Sequence, residues 1–133
     1  METENLDKKT ENLDNVGIGT KETEKLTAVP VEVMGHRIAL VEKDGKEIGK
    51  KVFLICKHPA REEMIELSKV KYIKSEKVTT SGIWFNKDVD GLIPKQSALA
   101  EVMRKFQCNT IADFDGKEIA TDLDNGYLVV KAY

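Results

Sequence analysis

Cysteine is scarce in this 133-residue chain: Cys56 and Cys108 are the whole supply, and they form no CxxC pair. A disulfide framework is therefore excluded, and two separate thiols suit a reducing compartment. Long apolar runs are missing too. Nothing approaches the ~20 residues that a membrane-spanning helix needs, and no basic-then-apolar leader opens the sequence. The expectation is a cytoplasmic protein without a membrane partner. Neither sign of charge prevails: the formal net charge is −2 and the pI ≈ 5.8, far below the values above ~9 of strongly DNA-binding domains. Aromatic residues are only 6% of the chain, and Trp84 is the one tryptophan, so the position of each large ring carries information.

What is present divides the chain in two. The first 28 residues hold seven acids against four lysines, and residues 1–27 contain no aromatic ring. Such a segment buries too little apolar surface to offset its ordering entropy. It is read as an acidic, disordered tail over 1–27, with a compact β-rich domain over 28–133. The tail repeats itself, Thr3-Glu4-Asn5-Leu6-Asp7 returning as Thr10-Glu11-Asn12-Leu13-Asp14. Two copies fall short of the heptads a coiled coil requires. Between Lys43 and Lys77 ten basic residues face six acids, a modest basic bias.

Within the domain, residues 31–42 alternate as a strand, and Asp44-Gly45 is a hairpin signal. A second strand over Lys51–Cys56 has an unbroken apolar run, which suggests burial on both faces. Pro59 suits the first turn of a short helix reaching Lys69, with Met64, Ile65 and Leu67 as its stripe. From Val70 to Asn86 the β-branched and aromatic content predicts one long or paired strand, with Gly82 a bulge. Ser97 is the expected N-cap of a helix whose Leu99, Val102, Met103 and Phe106 fall on one face. Thr110 to Asp113 caps a further short turn. Asn125-Gly126 then joins two closing strands.

This order predicts an α+β, mostly β fold. A helix between the third and fourth strands is the arrangement of the five-stranded OB barrel; the alternative is a generic antiparallel sheet packed by one or two helices.

Several chemical motifs fail on spacing. Gly45-Lys-Glu-Ile-Gly49-Lys50 has too few residues between its glycines for a phosphate loop and lies between strands. His36, Cys56, His58 and Cys108 have zinc-ligand chemistry without paired knuckles. Asp88 and Asp90 lack the further oxygens of a calcium loop. No nucleophile and base announce a triad. No catalytic residue, metal or cofactor is expected.

The signal that remains is aromatic rings sharing a face with lysines. Alternation places Tyr127, Val129, Lys131 and Tyr133 opposite Leu128, Val130 and Ala132, the natural core set. In the preceding extended region Tyr72 and Lys74 share parity with Trp84. Lys71, Tyr72, Lys74, Trp84, Tyr127, Lys131 and Tyr133 thus form a candidate surface on which bases stack and lysines neutralise phosphates.

A resemblance points the same way. The segment Asp90-Gly91-Leu92-Ile93-Pro94-Lys95-Gln96-Ser97-Ala98-Leu99, then Met103-Arg104-Lys105-Phe106, Asp115-Gly116-Lys117-Glu118-Ile119 and Gly126-Tyr127-Leu128 resembles the C-terminal pattern of small phage and archaeal-virus proteins. Some of those are single-stranded-DNA-binding proteins of OB type. The similarity covers the last third of the chain. It implies an OB barrel and a non-enzymatic single-strand-binding role in viral or mobile-element replication. The residues leave two alternatives: a protein-interaction or regulatory module docking through its tail or a strand edge, and a small hydrolase or nuclease.

Overall fold

The structure, a computed structural model, describes residues 13–15, 17–18 and 26–133. The tail expected over 1–27 lies for the most part outside the described residues. Leu26 packs against the core, and Thr27 takes part in it through a hydrogen bond described below. No helix among the described residues is long and apolar enough to cross a membrane.

β1 (Val31–Lys43) and β2 (Lys46–Lys57) form a long antiparallel hairpin. Asp44 and Gly45 at its tip have φ of 56° and 78°, the left-handed pair that a type I′ turn requires. In β2, Val52, Leu54 and Cys56 are fully buried, while Phe53 and Ile55 between them are half-buried. The apolar run therefore seals one face and only partly covers the other. A bulge at Met34 in β1 re-aims that strand, and Gly116 N–H donates to Val33 O at 2.7 Å beside it.

The short helix expected from Pro59 to Lys69 does not form. The chain turns at Pro59, and Ile65–Leu67 is β3, antiparallel to β2. Ile65 and Leu67 are buried with Glu66 exposed between them, which is a period of two. Met64, which was to complete the helical stripe, faces solvent. At the turn, His58 is fully buried. Its Nδ1 accepts from Ala60 N–H at 3.0 Å, and its Nε2 donates to Thr27 O at 2.8 Å. One nitrogen accepting and one donating is the pattern of a neutral imidazole.

The extended region is a hairpin, β4 (Lys69–Lys74) and β5 (Lys77–Gly82), followed by β6 (Trp84–Phe85). α1 (Ala98–Lys105) begins where expected, with Ser97 Oγ accepting from Ala100 N–H at 3.1 Å. Leu99, Val102 and Met103 are buried. Phe106, expected in the same stripe, ends the helix as its C-cap and is only half-buried. A 3-10 turn over Ile111–Phe114 follows, its start held by Asp113 Oδ2 accepting from Asn109 and Thr110 N–H. β7 (Glu118–Ile119), β8 (Thr121–Asp124) and β9 (Tyr127–Lys131) complete the chain. The β8–β9 hairpin turns at Asn125 and Gly126, both with positive φ.

The fold is mostly β: a curled antiparallel sheet (β3-β2-β1-β7, with β6 on β2) and a second sheet (β5-β4-β9-β8), packed by one helix. β4 and β9 run parallel, and the other pairs are antiparallel. The chain passes between the sheets at single residues, Ser68 between β3 and β4, Ile83 between β5 and β6, and Ala120 between β7 and β8. At the first crossing Ile83 bridges the gap, accepting from Val52 N–H and donating to Ser68 O, each at 2.8 Å. The core inside includes Val33, Leu54, Val70, Tyr72, Leu99 and Phe114.

Two stability measurements test this account. A chain starting at Leu26 keeps the Thr27 acceptor of His58, and one starting at Ala28 loses it. In thermal melts the second should be the less stable, by about 1–3 kcal/mol, since a buried donor is left unpaired. Ser75 and Glu76 at the β4–β5 turn have φ of 51° and 66°, the left-handed conformation costly for residues with a Cβ. Glu76→Gly should raise the denaturation midpoint, by an amount equivalent to about 0.5–1 kcal/mol.

Candidate nucleic-acid interface

The strand register decides which candidates meet. β9 lies between β4 and β8, with Lys131 beside Lys71 and Tyr127 opposite Asp124. Tyr127 is 77% exposed at the start of β9, and Tyr133 is exposed just beyond its end. Lys131 Nζ sits 5.0 Å from the centre of the Tyr133 ring, within cation–π range. Lys71, Tyr127, Lys131 and Tyr133 therefore share the outer face of the second sheet, Lys71 against the parity that grouped Tyr72 with Lys74. Val129, assigned to the same face, is buried.

Two carboxylates belong to this face as well. Lys71 Nζ donates to Leu123 O at 2.6 Å and Asp122 Oδ2 at 3.3 Å, and Tyr133 OH donates to the same Asp122 oxygen at 3.3 Å. Thr80 Oγ1 donates to Asp124 at 3.4 Å. The Leu123 N–H and then Lys71 hold the Asp122 carboxyl below its usual range. These acids were legible from the alternation of Thr121 to Asp124, had it been extended one strand upstream. Lys71 is thus committed to an internal partner, and Lys131 makes no ion pair among the described residues.

Tyr72 is corrected. It is 6% exposed and belongs to the core, so its ring offers no stacking surface. The parity assigned to this region is inverted: Val70 and Tyr72 face inward, and Lys69, Lys71 and the exposed Ile73 face outward. The physical reason is that Tyr72 fills the core-side volume against the helix, where a ring buries more area than Ile73 would. Lys74 is exposed at the hairpin end, opposite Lys77.

Trp84 stands on the other sheet, yet it is continuous with this surface. It pairs with Lys51 across β6 and β2, and Lys51 Nζ lies 5.1 Å from the indole centre. Both pack over Gly82, where an added Cβ would meet Lys51 Cε and Trp84 Nε1 at 2.7 Å. Gly82 is the register partner of Lys69, and Lys71 that of Thr80. The outer surface therefore runs from Trp84 and Lys51 past Lys69 to Lys71, Lys131 and Tyr133. Burial and then the neighbouring Lys69 lower the Lys51 pKa. Neither Lys51 nor Lys69 has an acidic partner among the described residues. Lys51 and Lys69 were missed in the sequence. The signal available was Gly82, whose missing side chain makes room for both Lys51 and the indole.

Nearby on the curled sheet, Arg37 stacks 4.1 Å from the Phe53 ring centre and donates to both Glu66 oxygens, at 3.0 and 2.8 Å. That cation is already matched. Of the residues with zinc-ligand chemistry, His36 bonds Asp115 at 2.8 Å, and burial pushes the Cys56 thiol up to about 12. Among the described residues no three His, Cys, Asp or Glu side chains converge.

Gly82→Val tests the packing. The new side chain should expel the indole, red-shifting Trp84 emission and lowering stability by about 1–3 kcal/mol. Unchanged emission would mean that Trp84 does not rest on Gly82. No protein-family model, curated protein or solved structure matches this chain, so its own chemistry carries the functional reading.

Proposed function

We propose that the protein is a non-enzymatic module that binds single-stranded nucleic acid along the outer surface from Trp84 to Tyr133. One observation carries the reading: Lys51 lies 5.1 Å from a half-buried indole with Lys69 as its charged neighbour, and neither lysine forms an ion pair among the described residues. Two unneutralised cations next to a ring form a seat for a phosphate and its base, and such pairs repeat along single-strand-binding grooves. Lys131 over the Tyr133 ring supplies a second cation and ring, with Asp122 holding the Tyr133 hydroxyl. Tyr127, at the tip of the last hairpin, supplies a third ring.

The pattern of strand pairing supports an OB-type barrel as the frame. Hydrogen bonds connect β7 to β1, β1 to β2, β2 to β3 and β6, β4 to β5 and β9, and β9 to β8. Counting β3–β4 as one interrupted strand and β7–β8 as another gives a circuit of five, with α1 between the third and fourth. β5 and β6 are then an insertion wedged between the second and third strands. In that frame the β1–β2 and β8–β9 turns correspond to the loops with which OB barrels grip oligonucleotides. The resemblance in the last third of the chain agrees with this frame, and with a viral or mobile-element replication setting.

Fluorescence titration of Trp84 with oligo-dT, oligo-U and duplex DNA tests the reading. Single strands should quench the indole at low salt, and duplex should bind more weakly because its bases are already stacked. Tyr133→Ala should weaken binding by about 1–3 kcal/mol, the contribution of one stacked base. Lys69→Ala should instead reduce the slope of log K against log salt by about one. Absence of quenching by any single strand at low salt defeats the proposal.

A further inference from the structure

A second surface lies beside α1, on residues other than those of the strand face just described. Between α1, the loop over 85–95 and the segment 108–111 runs a groove of about 500 Å³. Its floor is apolar, formed by Ile93, Ala100, Met103 and Ile111. Three cations line it, Lys87, Lys95 and Arg104, and no lining residue is acidic. In a chain of net charge −2 this is a local reversal of sign. The exposed Leu92 extends the apolar surface onto one wall.

That wall is built before any ligand arrives. Asp88 Oδ1 accepts from Asp90 N–H at 2.9 Å and Leu92 N–H at 3.0 Å. Asp88 N–H donates to Leu92 O at 2.7 Å, and Gly91 N–H to Asp88 O at 3.0 Å. These bonds turn the Asp88 carboxylate into its own loop, so that it is absent from the groove lining. Arg104 fastens the loop to the helix, its Nη2 donating to Lys95 O at 2.8 Å and to Glu101 Oε2 at 2.7 Å. Lys87 and Lys95 form no ion pair among the described residues. A preformed wall lowers the ordering entropy of binding.

The geometry points to a docking site for an acidic protein segment that carries a Leu- or Phe-sized side chain. The apolar floor takes the side chain, and Lys87 and Lys95 face the flanking carboxylates. A small molecule suits the site less well, because small-molecule pockets bury most of their ligand and this groove is open along one side. A protein segment fills such a groove with one residue and continues along the surface. Complementary charge at the rim chiefly speeds encounter and selects the partner. The molecule would then hold a nucleic acid on its strand face and an acidic partner on its helix face. The groove inference stands on its own residues and does not depend on the strand face.

The probe is a short fluorescein-labelled peptide of Asp and Glu around a central Leu-Phe pair, titrated with the full chain and read by anisotropy. Binding is expected, with methyl NMR shifts at Met103, Ile111 and Leu92. The double variant Lys87→Glu and Lys95→Glu should weaken binding by about tenfold, the sum of several exposed charge contacts. Leu92→Ser, at a position 66% exposed and outside the core, should weaken it severalfold. Saturating oligo-dT should leave the peptide bound. The inference is overturned if the peptide does not bind, if a version with Ser at the central pair binds equally, or if charge reversal changes nothing. Displacement of the peptide by oligo-dT also overturns it, because both would then share one surface.

Discussion

The backbone of Ile83 joins what would otherwise be two separate sheets. Its carbonyl accepts from Val52 in β2 and its N–H donates to Ser68, between β3 and β4. Unpaired backbone groups buried at that seam would each be costly, and a single residue satisfies both sides. Its side chain is 1% exposed, so the same residue that closes the hydrogen bonding also fills the core. On either side of it the chain has opposite duties. Gly82 ends β5 against Lys69, and Trp84 starts β6 against Lys51. The candidate surface exists because this seam brings two strands of different sheets within one side chain of each other.

Gly82 shows how an absent side chain can organise a site. The space above it holds the indole of Trp84 and the stem of Lys51 together. Each would be an ordinary surface residue alone. Packed over a glycine, the ring is fixed and the amine is partly desolvated, with Lys69 close enough to lower its pKa further. Like charges left together without an acid raise the energy of the free protein, and an anionic ligand relieves it. The opposite arrangement occurs at Lys71, where Asp122 and the Leu123 carbonyl already satisfy the amine. Two lysines one residue apart in β4 thus differ in availability because of their neighbours across the sheet.

Charge is arranged by face. The chain is slightly acidic overall, yet its cations gather in the groove beside α1 and along the outer strands. The acids on those strands are largely engaged, Asp122 with Lys71 and Tyr133, Glu66 with Arg37. Net charge by itself says little about such a molecule, since local pairing decides which charges a ligand meets.

Local chemistry in the sequence determined the turns, the caps and the main helix. Asp44-Gly45 and Asn125-Gly126 form hairpins because few residue pairs accept two left-handed conformations. Ser97 caps α1 because its hydroxyl reaches a free N–H. Alternation in one strand placed Tyr127, Lys131 and Tyr133 outward, but it placed Val129 with them, and Val129 is buried because neighbouring elements cover it. Tertiary structure decided the rest. Ile65 and Leu67 became a strand because β2 offered an edge for them, and a three-residue apolar pattern is too short to distinguish helix from strand. Tyr72 went inside and Ile73 outside because α1 covers one face of β4. Trp84 met Lys51, and Lys51 came beside Lys69, only through the seam at Ile83, which pairs residues far apart in the chain. Periodicity tells which side of a strand a residue occupies, but which side is the core depends on what packs there.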